Sequence, residues 1–167
     1  MTRLGRLLDR LTDGCAVIAS LSLALMLVHI CADLLSRNLF NWPLPGTIEI
    51  VQSWYMVPIA FLPLALAERA EQHIVIEIVS QRLRIDVQRW LRVVASLLSA
   101  AYFSLIAWVC WGSALKKMAE GEYQRGPAEV VIWPTRFAIP LGCALLALVL
   151  IAKASRLARA RREEARR

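Results

Sequence analysis

Four stretches of the chain carry hardly any charge, at residues 14–36, 48–67, 93–115 and 130–152, and the charged residues collect between and beyond them. A helix rises ~1.5 Å per residue, so about twenty residues cross the ~30 Å hydrocarbon core of a bilayer. The pattern therefore predicts an all-α integral membrane protein: one membrane domain over residues 1–167, four transmembrane helices and a basic tail at 153–167. The second stretch has the sharpest brackets. Pro45-Gly46-Thr47-Ile48-Glu49 leads into eighteen uncharged residues, Ile50 to Ala67, and His73-Ile74-Val75-Ile76-Glu77 follows.

Between the second and third spans, residues 74–91 mix Ile78, Val79, Leu83, Val87, Trp90 and Leu91 with Arg82, Arg84, Asp86 and Arg89. That mixture suits an amphipathic helix in the cytoplasmic interface, apolar side toward acyl chains and arginines toward headgroups. A helical extension of the third span is the alternative. The first span follows Arg3, Arg6 and Arg10 as a secretory signal would, but no small-residue cleavage pattern closes it, so an uncleaved span is expected.

Composition strengthens the membrane reading, with 58% hydrophobic residues and a mean hydropathy of +0.52. Of twenty Lys and Arg residues, fifteen fall in the amino terminus, the second loop and the tail, and five fall in the other two connections. The positive-inside bias then places both termini in the cytoplasm. The net charge of +7 raises nucleic acid as a partner. The basic tail directly follows a span, however, so anionic lipid headgroups are its expected partner and nucleic acid is not. The tail should continue the fourth helix. Cys15, Cys31, Cys110 and Cys143 all fall within spans and form no CxxC pair, which points to small buried apolar residues.

Charge inside a bilayer is costly, so polar residues within the spans carry the functional information. His29, Asp33 and Arg37 recur every four residues and share one drifting stripe of the first helix. They fit either a proton relay or a neutralised pair, Asp33 with Arg37 or His29. Thr47 is expected to cap the second helix, with Glu49 in its first turn, where the helix dipole favours a carboxylate. Glu49 as a coupling-ion or substrate group is the competing reading. Pro58 and Pro63 should bend the second helix. No Gly-rich phosphate loop, Ser/His/Asp constellation or zinc-spaced cluster is present, so no enzyme, metal or cofactor is expected.

Several short motifs occur together in order. They are Arg37-Asn38-Leu39-Phe40-Asn41 after the first span, Gly46-Thr47-Ile48-Glu49 opening the second and His73-Ile74-Val75-x-Glu77 after it. Trp133-Pro134 and Ile139-Pro140-Leu141-Gly142 mark the fourth. In these motifs and in its size the chain resembles the small membrane subunit (DctQ-like small permease) of tripartite ATP-independent periplasmic (TRAP) transporters. The resemblance implies a bacterial inner-membrane scaffold beside a large transport subunit. In such systems a periplasmic binding protein delivers an organic acid, and sodium, bound in the large subunit, drives its uptake.

On this reading Asp33, Arg37, Glu49, His73 and Glu77 take structural or subunit-contact roles, and Trp54 and Tyr55 are partner-facing candidates. Lys116 and Lys117 are candidates for docking the binding protein by transient electrostatic contact. Two alternatives stay open, an independent four-helix exporter and a haem-binding respiratory anchor. His29 and His73 are the two histidines available for haem, and the topology sets them toward opposite faces.

Overall fold

The computed structural model describes residues 3–69, 85–124, 126 and 128–164. Among the described residues, four helices are long and apolar enough to cross a membrane, here named α1 (Arg3–Phe40), α2 (Thr47–Arg69), α3 (Ile85–Ala119) and α4 (Ala138–Glu164). The protein is an all-α membrane protein with one small exception: Tyr123–Gln124 and Val130–Val131 pair antiparallel as a hairpin (β1, β2) between α3 and α4.

α1 runs 38 residues without a break, beyond both ends of the 14–36 stretch. Its first turns stay helical because no proline interrupts them and because Leu8 and Thr12 are buried against the bundle. The helix stops where Asn41 takes a φ of 53°, a left-handed conformation that asparagine tolerates better than most residues.

α2 is assembled from pieces. Thr47–Ile50 is α-helical, Val51–Tyr55 forms a wider π turn, Met56–Phe61 returns to α-helix, and Leu64–Arg69 resumes after a turn at Leu62 and Pro63. The prolines supply the reason. Pro58 cannot donate to the carbonyl of Trp54 and its ring crowds that turn, while Pro63 does the same to Ile59. The helix restarts when Ala67 N–H donates to the Pro63 carbonyl at 3.0 Å.

α4 is the centre of the bundle. Half of its most apolar window is buried, against 6% for α1, and all three other helices touch it. Consecutive residues face different partners, as a 100° step requires. Leu145 and Val149 pack with Leu8 and Ala65, while Leu146 and Leu150 pack with Ala100, Leu64 and Phe103. At Gly142 the backbones of α4 and α2 nearly touch, and a Cβ there would lie 2.7 Å from the Phe61 carbonyl carbon. Small residues allow this approach between membrane helices.

The fourth helix proper starts later than residue 130, because Val130–Val131 is strand and a 3-10 turn, Trp133–Phe137, intervenes with Pro134 near its start. At the other end α4 does extend into the basic tail, to Glu164. The interfacial helix expected over 74–91 lies mostly outside the described residues. From Ile85 onward the chain is already α3, so that part is a helical extension of the third span.

Candidate functional site

Polar side chains gather at the two ends of the bundle. At the hairpin end, the loop after α1 folds back on its own helix. Asp33 accepts two bonds, from Leu44 N–H at 2.9 Å and from Arg37 Nε at 3.0 Å, and Ser36 Oγ donates to the Trp42 carbonyl at 2.6 Å. Asp33 is buried. One carboxylate therefore neutralises an arginine of its own helix and fixes the following loop, which sets where α2 begins. This is the neutralised-pair arrangement.

Gly46 caps α2 with a φ of 82°, and Thr47 is already the first helical residue. The expected Thr47 cap is thus displaced by one position. Its Oγ1 instead donates backward to the Leu44 carbonyl at 3.1 Å, because only glycine adopts that φ without strain. Glycine is also needed for space, since a Cβ at Gly46 would lie 2.7 Å from the Ala128 Cβ.

Glu49 does stand in the first turn of α2, and it is buried, at 8% exposure. Its cover is backbone. A Cβ at Gly126 would lie 2.7 Å from the Glu49 carboxyl carbon, so the hairpin turn closes directly over the acid. Two further bonds hold the hairpin to α2: Ser53 Oγ donates to Gln124 Oε1 at 3.1 Å and Trp54 Nε1 donates to the Val131 carbonyl at 2.9 Å. Ser53 and Trp54 both lie in the π turn of α2, which places them opposite the hairpin.

Beside the hairpin an ion network joins the segment after α3 to the 3-10 turn before α4. Arg136 donates to both carboxylate oxygens of Glu122, Nη2 to Oε1 at 2.7 Å and Nε to Oε2. Lys117 bonds Glu120 at 2.8 Å and lies 3.9 Å from Glu122. The guanidinium bonds of Arg136 hold the Glu122 carboxyl below its usual range, outweighing the opposite push of partial burial. Paired, fork-shaped arginine bonds of this kind are the strong class.

The tail end has its own clamps. Arg69, at the end of α2, reaches Asp13 at 3.0 Å and Asp9 at 3.4 Å on α1. Lys153 of α4 bonds buried Glu68 of α2 at 2.9 Å. Between the two ends, His29 Nδ1 lies 3.3 Å from the Tyr55 hydroxyl, their rings edge to face. The histidine thus turns to α2 and leaves Asp33 to Arg37.

The structure brings Asp33 and Arg37 together and places Glu49 and Trp54 in one assembly with the hairpin. Tyr55 is half-buried with its hydroxyl toward His29, while Lys116 is exposed and Lys117 is engaged by Glu120. His73 and Glu77 lie outside the described residues. Sequence reasoning missed the Glu68–Lys153 and Arg69–Asp9/Asp13 clamps. The signal was present: an acid and a base end the second span at the boundary where Lys153 ends the fourth, and Asp9 and Asp13 are one helical turn apart. The contacts of Ser53, Gln124 and Gly126 had no such signal.

Comparison with known families matches residues 25–160 to the DctQ component of tripartite ATP-independent periplasmic transporters. No curated protein and no solved structure matches the chain.

Proposed function

This chain belongs to the DctQ component family of tripartite ATP-independent periplasmic transporters, and we propose that it acts as the fixed membrane frame beside the large transport subunit. The proposal includes its setting. The large subunit carries the organic acid and the sodium that drives it, a periplasmic protein delivers the acid, and both termini face the cytoplasm of a bacterial inner membrane. The family is one of transporter components and not of enzymes.

The observation that carries the frame reading is the clamping of the bundle at both membrane boundaries. Asp33 and Arg37 fix the entry to α2, the hairpin is bonded to α2 through Ser53 and Trp54, and Glu122–Arg136 joins the segment after α3 to the turn before α4. Arg69 and Lys153 tie α1, α2 and α4 at the opposite end. Sliding α2 past α1 or α4 by a turn, ~5.4 Å, would break the ion pairs of Arg69 or of Glu68 and Lys153. A helix bundle so fastened suits a part that stays still while its partner moves. The basic residues of the second loop and tail add anchorage against vertical slip.

The test is a lock. Glu68→Cys with Lys153→Cys, bridged by a bifunctional methanethiosulfonate reagent that spans the replaced ion pair in the assembled transporter in proteoliposomes, should leave acid uptake unchanged once the bridge is confirmed by mass spectrometry. Uptake that stops on bridging and returns on reduction would show that α2 and α4 move during transport. The chain reconstituted alone should give no flux, and autonomous flux would favour the exporter alternative.

A further inference from the structure

A groove of about 550 Å³ opens on the outer surface of the α3–α4 pair, running from Trp111, Gly112 and Pro140 down to Ser104, Leu148 and Ile151. Its volume lies within the roughly 300–1,000 Å³ of ordinary ligand sites. Its lining is almost wholly apolar, and Trp108 on the same wall is 81% exposed. At the upper end the groove is empty of the chain's own atoms, since nothing lies within 4 Å of where a side chain at Gly112 would begin. From Ser104 to Gly112 the wall is ~12 Å long at ~1.5 Å per residue, close to the ~15 Å depth of one leaflet of a ~30 Å core.

The mouth carries charge. Lys116 follows Gly112 by one helical turn, on the same side of α3, and is exposed. Among the described residues its ammonium has no acidic partner, whereas the neighbouring cations Lys117 and Arg136 are engaged by Glu120 and Glu122. An unpaired ammonium above a leaflet-deep apolar groove, with Trp111 near the headgroup level that indoles favour, complements one kind of molecule. We propose that the groove holds an acyl chain of an anionic phospholipid whose phosphate rests on Lys116. This resident lipid goes beyond the frame role and depends only on the chain's membrane placement.

Native mass spectrometry of the full chain, released from nanodiscs of equal parts phosphatidylcholine and phosphatidylglycerol, reads the lipid directly. The unsubstituted chain should keep one phosphatidylglycerol under activation that strips loosely held lipids. Gly112→Leu should lose it by filling the groove, and Gly112→Ala should keep it. Lys116→Gln, on the exposed last turn, should lower the preference for phosphatidylglycerol over phosphatidylcholine about five-fold, the worth of one lysine near a lipid surface. It also carries the test should Gly112→Leu fail to accumulate. The proposal falls if these variants bind lipid as the unsubstituted chain does. It falls equally if Gly112→Leu keeps its lipid but no longer co-purifies with the large subunit, which would make the groove a seat for a protein helix.

Discussion

Replacing Gly142 by alanine tests the close backbone approach of α2 and α4. The new Cβ would lie 2.7 Å from the Phe61 carbonyl carbon and closer still to its oxygen. Carbon atoms in good contact stand ~3.5–4.0 Å apart, so α2 and α4 would have to separate by about 1 Å at this level. The obstacle is backbone, which cannot rotate aside as a side chain would, and overpacking of this kind costs about 1–3 kcal/mol. Alanine's helix propensity returns up to ~1 kcal/mol, and less where lipid already enforces helix. The expected net loss is about 1–2 kcal/mol.

Gly112→Ala is the matched control, because it changes the same atoms in open space and should be neutral or slightly stabilising. Both variants can be followed by unfolding of the detergent-solubilised chain with a denaturing detergent, read by tryptophan fluorescence. A Gly142→Ala curve that overlays or exceeds the Gly112→Ala curve would refute the reasoning, since it would mean that α2 and α4 have room between them.

Other consequences concern the clamps. The folded Glu122 carboxyl sits below its ordinary value of 4.5 because Arg136 favours its charged form. The stability it adds is therefore complete above about pH 4.5 and is lost as pH falls through the lower folded value. The protection of the Ile132 amide, which bonds the Glu122 carbonyl, measured against the intrinsic exchange rate at each pH, should fall over that range, and Glu122→Gln should flatten the response. Trp54→Phe removes one bond to the hairpin and should weaken it by about 1 kcal/mol, seen as faster exchange at Gln124 and Val130, the hydrogen-bonded pair of the hairpin. Lys153→Met should lower stability by roughly 1.5–3 kcal/mol, as expected for a hydrogen bond to a charged group, in the same unfolding assay. Exchanging the charges, Glu68→Lys with Lys153→Glu, should recover part of the loss.

The membrane spans were legible because length and apolarity are read along the chain. The bend of α2 was legible for the same reason, since Pro58 and Pro63 act on the turns just before them. The four-residue spacing of His29, Asp33 and Arg37 left Asp33 either neighbour as a partner, and the structure gives it Arg37. By contrast, His29 and Tyr55 are brought together by the packing of α1 on α2, and no periodicity within either helix announces it. The hairpin strands hold two residues each, too few for an alternating pattern. Glu49's cover is a glycine backbone, which leaves no chemical mark in the sequence beyond the glycine itself. The cap of α2 passed from Thr47 to Gly46 because the hairpin presses against that turn, and this too is tertiary.

The helix on which α1, α2 and α3 all converge is the last of the four to be made. Synthesis runs from the amino terminus, so three apolar rods enter the bilayer while their common partner does not yet exist. α1 and α2 can already join through Arg69 and through His29 and Tyr55, but α3 has to wait until α4 arrives to bind it to them. Loss of the chain from Ala138 onward would therefore remove the centre of the bundle and not its margin.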